Sequence, residues 1–162
     1  MILIGKEKDI LDFVTSKMEK KEKEKLECKI QAMELLKACN FSEDYIAVVL
    51  CQDLIGKENV SDDELARLVG MEAFEAIKIA DSRQNPNLGT ERYLQMVKKN
   101  KLANIALTAT LTSMLHMAIK KPKEIQDQLI YKTEKYYLKF LEGTPGYLFL
   151  KEGYEALKIS NQ

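Results

Sequence analysis

The chain has 162 residues and 18.6 kDa, with 25 basic and 25 acidic side chains and no formal net charge. That balance excludes a nucleic-acid binder acting through bulk charge, although local patches stay open, and 46% hydrophobic residues suffice for one sizeable core without disulfide or metal staples. A single histidine, His116, excludes a two-histidine metal site, and arginines only at Arg67, Arg83 and Arg92 disfavour a bidentate guanidinium clamp while leaving lysines for phosphate.

The opening MILIGKEKDI has too few apolar residues in a row for a signal peptide. Cys28, Cys39 and Cys51 form no CxxC pair and read as reduced thiols, so a cytoplasmic location is expected. Apolar residues then recur at helical spacing with few prolines to interrupt them. A first helix is expected from about Lys6 to Glu24, with Ile10, Leu11, Phe13, Val14 and Met18 inward and the mixed-sign run 17–25 as a solvated face. A second, about Leu26 to Ala38, points Leu26, Ile30, Met33, Leu35 and Leu36 to the core, with Asn40 as its C-terminal cap. Ser42 caps a third, Glu43 to about Ile55, whose stretch Tyr45-Ile-Ala-Val-Val-Leu-Cys is apolar nearly all round and needs burial on several sides.

Ser61 with Glu64 reads as a capping box for a short helix ended by Gly70. Another helix follows from Glu72 to about Ala80, then a loop over 81–90 and a helix Glu91 to Lys99 capped by Thr90. From Leu102 to Ile119 no side chain is fully charged, which approaches the length of a membrane span. Its threonines, Asn104, Ser113 and His116, and the amphipathic helices flanking it, favour a helix buried inside a bundle. Pro122 opens a helix from Lys123 to Leu141, and 143–146 is a turn. The tail Tyr147-Leu-Phe-Leu-Lys-Glu-Gly-Tyr is left open between a hairpin about Glu152-Gly153 and one more helix. The whole reads as all-α and a single domain.

Generic motifs are missing: there is no GxGxxG, no phosphate-binding loop and no HExxH. The stretch CKIQAMELLKACNFSEDYIAVVLCQDLIGKENVSDDELARLVG, with Tyr93, Asn100-Lys-Leu-Ala103, Leu107-Thr-Ala-Thr110 and Leu141-Glu-Gly143, resembles the RelA/SpoT-type HD-domain hydrolases. The resemblance is strongest over 28–70 and 93–143. It implies an HD-domain-like helical bundle over 1–143 with a C-terminal extension over 144–162. That family binds one divalent ion, usually manganese, and removes pyrophosphate from guanosine polyphosphates.

The same resemblance assigns the metal-ligand positions to Cys28, Gln52, Asp53 and Thr110, where two imidazoles and a carboxylate are replaced and only Asp53 survives. The water-activating Glu-Asp pair falls on Gly56-Lys57. One carboxylate with a thiol, an amide and a hydroxyl is a poor donor set for manganese, so the resemblance implies a catalytically inactive HD-type protein with no metal and no cofactor. Such a protein would serve as a nucleotide-binding or protein-interaction and regulatory module. Lys57, expected to pair with Asp53 at i, i+4, is placed as a phosphate contact, and Tyr147-Leu-Phe-Leu as the interaction patch. Two alternatives stay open. One is a manganese-dependent phosphohydrolase recruiting His116 with Asp53, Asp44 or Asp81; the other is an unrelated helical interaction protein.

Overall fold

A computed structural model describes residues 6–81 and 87–162. The helices run α1 (Lys6–Lys17), a 3-10 turn (Lys20–Glu22), α2 (Lys23–Ala38), α3 (Glu43–Cys51), α4 (Asp62–Val69), α5 (Met71–Ala80), α6 (Thr90–Lys99) and α7 (Lys101–Ala118). After Pro122 come α8 (Lys123–Lys132), a π-turn (Thr133–Tyr137) and α9 (Leu138–Leu141), continuous as one rod, and then α10 (Tyr147–Asn161). Counting that rod once, the described residues form an all-α single domain of nine helices with no strand. Of the loop expected over 81–90, residues 82–86 lie outside the described residues, as does the start of the opening decapeptide.

Two helices explain where the core sits. α3 is buried from Ile46 to Cys51 without a break because α1, α2, α5 and α7 pack round it, which accounts for a sequence apolar on every face. α7 is enclosed by α2, α3, α5, α6 and α10. Its hydroxyls are accommodated by its own backbone: Thr108, Thr110 and Thr112 donate to the carbonyls of Asn104, Ala106 and Thr108 at 2.6, 2.9 and 2.8 Å. The threonine hydroxyls that argued against a membrane span are thus satisfied within the helix. No helix among the described residues is long and apolar enough to cross a membrane.

The expected boundaries need four corrections. The first helix stops at Lys17, because Glu19 turns extended and its backbone N–H donates to the Glu22 carboxylate at 3.1 Å, a capping box that starts a new helix inside the charged run. The third helix stops at Cys51 and not near Ile55, since Asp53 takes a left-handed φ of 75°. Ser61 accepts from the Glu64 N–H at 3.1 Å as expected, but Ser42 makes no side-chain cap, and Thr90 is the first residue of α6 and not its cap. The tail is a helix and not a hairpin. Gly153 lies where α10 crosses α7, a Cβ there meeting Leu115 at 3.5 Å, while Leu150 and Leu157 are buried. Residues 147–161 therefore complete the core. Only part of the expected tail patch is outward, with Leu148 and Phe149 exposed and Leu150 inside.

The Asn40 cap is as expected, with detail added. Its φ of 61° lets its own N–H reach the Lys37 carbonyl at 3.0 Å and the Phe41 N–H reach Leu36 at 3.0 Å, a Schellman ending that sends the chain into α3. That turn sets α2 and α3 side by side and brings Cys28 near the end of α3.

Candidate functional site

A cavity of about 550 Å³ opens between the start of α2, the end of α3, the second half of α7 and the α8 rod. Cys28, Gln52, Asp53 and Thr110 all line it. Gln52 Nε2 donates to Thr110 Oγ1 at 3.3 Å, and the Cys28 thiol lies 3.8 Å from the Thr110 carbonyl. Ser113 Oγ donates to the Cys28 carbonyl at 2.9 Å, locking α2 against α7. Burial pushes the Cys28 thiol above its ordinary range, so it stays protonated at neutral pH.

At the centre lies a residue the sequence reading passed over. Lys29 is 4% exposed, and its Nζ donates to the Gln52 carbonyl at 2.5 Å and to Val49 at 3.5 Å, with Asp53 Oδ2 at 3.9 Å. The ammonium thus caps the C-terminal carbonyls of α3, where the helix dipole favours a cation, and neutralises Asp53 across the left-handed turn. Burial lowers the Lys29 pKa, and the Asp53 carboxylate opposes that shift. A signal for Lys29 was present. It shares the helical line of Ala32, Met33 and Leu36, all buried, so a lysine there had to be a buried cation with acceptors.

The expected Asp53–Lys57 pair does not form. Lys57 Nζ is 2.7 Å from Oε1 of Glu22, a residue of the cavity wall, and Asp53 faces Lys29 instead. The i, i+4 argument fails because α3 has already ended: Asp53 and Gly56, with φ of 75° and 87°, put turns between the two residues. Lys57 itself does not line the cavity. It holds the Glu22 carboxyl below its ordinary range, chiefly through their hydrogen bond.

The residues present do not fit a divalent ion. The thiol is protonated, the Thr110 hydroxyl already donates to Ala106 and accepts from Gln52, and an ammonium occupies the neighbourhood of the one carboxylate. Among the described residues no group of three or more His, Cys, Asp or Glu converges to hold a metal. His116, Asp44 and Asp81 do not line the cavity: His116 is exposed beside α10, Asp44 pairs with Lys6 at 3.8 Å, and Asp81 is buried at the end of α5. The constellation required for a hydrolase using His116 is not assembled.

The rest of the wall has two characters. Met114, Met117, Ala118, Ile125 and Leu129 supply an apolar side. Lys21, Lys25, Lys121 and Lys132 stand round the mouth. Lys121 pairs with Glu24 and Lys21 with Glu19, while Lys25 and Lys132 have no ion-pair partner among the described residues. The cavity therefore sets an apolar wall against the Lys29–Asp53 pair, with lysines outnumbering the Glu22 and Glu24 carboxylates at its edge. No family model, no curated protein and no solved structure matches the chain.

Proposed function

We propose that this protein is a degenerate, metal-free HD-type bundle that binds a nucleotide without hydrolysing it. The observation that carries the reading is the convergence of Cys28, Gln52, Asp53 and Thr110 on one cavity, with a lysine ammonium beside the surviving carboxylate. A convergence of four positions from α2, the turn after α3 and α7 is what an HD scaffold requires. The internal cation explains how Asp53 is retained without a metal, since a carboxylate at the end of a helix next to carbonyls is otherwise poorly placed.

The wall chemistry supports a nucleotide as the ligand class. An apolar interior of methionines and leucine accepts a flat base, and unpaired lysines at the mouth attract phosphates. Hydrolysis has no part in this reading, because each carboxylate on the cavity stands beside a lysine: Asp53 by Lys29, Glu22 by Lys57 and Glu24 by Lys121.

The test is titration calorimetry of chelator-treated protein with GDP, guanosine tetraphosphate and pyrophosphate, alongside a phosphate-release assay with added manganese. Binding of a nucleotide in the presence of chelator, with no release of phosphate or pyrophosphate, is expected. Manganese-dependent hydrolysis that disappears in Asp53→Asn would overturn the reading in favour of an enzyme, and the absence of any nucleotide binding would overturn it altogether.

A further inference from the structure

The cavity-lining residues of the α8 rod are Ile125, Gln128, Leu129, Lys132 and then Tyr137. The first four follow α-helical spacing, and an uninterrupted α-helix would place residue 136 next on that face. The π-turn over Thr133–Tyr137 accommodates an extra residue through i→i+5 hydrogen bonding and sets the following side chains back. Tyr137 thereby takes the cavity position, and Tyr136 is displaced to the flank, with the Lys135 ammonium over its ring at 5.2 Å.

Side chains from two other places hold the turn. Thr133, fully buried, donates to the Leu129 carbonyl at 2.7 Å. Glu134 Oε2 accepts from Tyr154 Oη at 2.7 Å and from Lys158 Nζ at 3.2 Å, tying the turn to α10. Tyr137 itself is half-buried and lines the cavity, and its hydroxyl, without a hydrogen-bond partner among the described residues, is reached by solvent. An aromatic ring thus stands on the same cavity as the methionine wall and the lysine mouth.

We propose that Tyr137, set into the cavity by the π-turn, is the residue that recognises the base of the bound nucleotide, its ring lying against the base and its hydroxyl bonding to the base's polar edge. The inference rests on the nucleotide reading above and adds the division of labour: Tyr137 reads the base, while Lys25 and Lys132 hold the phosphates.

The experiment compares GDP with inorganic pyrophosphate, which has charge and no base, by calorimetry on the full chain. Tyr137→Phe keeps the ring and removes the hydroxyl, and should weaken GDP about 3- to 10-fold, the weight of one neutral hydrogen bond. Tyr137→Ala should weaken it by about tenfold or more through lost stacking. Pyrophosphate affinity should be unchanged in both, and Tyr136→Phe should change neither ligand. Lys25→Gln with Lys132→Gln should weaken both ligands. The proposal is overturned if Tyr137→Phe binds GDP like the parent, or if GDP and pyrophosphate weaken together, which would mark a structural role. A parent that binds pyrophosphate and not GDP also overturns it, while leaving the anion-binding cavity standing. A parent that binds neither removes the nucleotide reading and this one with it.

Discussion

Replacing Lys29 by methionine removes the ammonium while filling nearly the same volume, and so tests whether the buried cation organises the end of α3. The Gln52 carbonyl would lose a donor at 2.5 Å and Val49 a weaker one at 3.5 Å. Each buried carbonyl left unpaired costs about 1–3 kcal/mol. Two effects reduce the loss. Methionine needs no desolvation of a charge, and Asp53, whose side chain is 42% exposed, is rehydrated when its partner leaves. The expected net cost is about 1–2 kcal/mol at neutral pH, read as about 3–6 °C in Tm for a domain of this size. Asp53→Asn, in which the left-handed φ is still tolerated, should cost no more than about 0.5 kcal/mol.

The pH profile supplies a second readout. The folded-state pKa of Lys29 lies below the ordinary 10.5, so between those two values the unfolded chain binds a proton that the folded chain has released. Stability should therefore rise with pH through that alkaline window in the parent, and this component should be missing from Lys29→Met. Urea unfolding followed by far-ultraviolet circular dichroism measures both. If Asp53→Asn proves as costly as Lys29→Met, the ion pair and not the helix cap is what matters. If Lys29→Met costs nothing and keeps the alkaline rise, the argument for an organising cation fails.

The same ammonium should block metal. Cys28→His, Gln52→His and Thr110→Asp together restore the donors the HD resemblance assigns, yet with Lys29 near Asp53 the triple variant should remain manganese-free by elemental analysis, and only further addition of Lys29→Ala should give stoichiometric metal; manganese in the triple variant alone would refute this. A Cβ at Gly146 would fall 2.7 Å from Thr108 Cγ2, a β-branched side chain buried in α7, so Gly146→Ala should lose about 1–3 kcal/mol in urea unfolding. Gly153→Ala, with only ordinary contacts at 3.5 Å, should instead gain up to about 1 kcal/mol from helix propensity. The Glu22 and Glu134 carboxyls are both held below their ordinary 4.5, the first chiefly by Lys57 and the second by Tyr154 and then Lys158. Their contributions are present above that value and fade as pH falls through the folded values beneath it. A thermal scan from about pH 5 to about pH 3 should show a shallower acid loss in Glu134→Gln than in the parent.

How much of this arrangement was legible in the sequence depended on whether a signal was local and periodic. The all-round apolarity of Tyr45 to Cys51 correctly announced a helix buried on several sides, and Asn40 correctly announced a left-handed ending. The run 17–25 gave no boundary, because alternating charges satisfy a solvated helix and a capping box equally well; the Glu19–Glu22 bond decides between them. The tail stayed open between hairpin and helix for a related reason. Gly153 reads as a turn residue in isolation, but its lack of a side chain serves the close crossing with α7, a tertiary fact.

The candidate site shows the same division more sharply. The resemblance to HD-domain hydrolases brought Cys28, Gln52, Asp53 and Thr110 forward, and the fold gathers them: α2 and α7 carry Cys28 and Thr110, and the turn that ends α3 carries Gln52 and Asp53. Lys57 went wrong where the register was interrupted: two residues of positive φ between helix end and lysine turn an i, i+4 neighbour into a partner for Glu22. Tyr137 belongs to the apolar positions expected of the helix after Pro122, but its place on the cavity depends on the π-turn, which adds a residue without leaving the helix. Both cases turn on a local departure from the α-helical repeat, and each decides which side chain stands on the cavity. Local backbone geometry at 53–56 and 133–137, rather than the hydrophobic pattern that builds the bundle, therefore decides which side chains line the cavity.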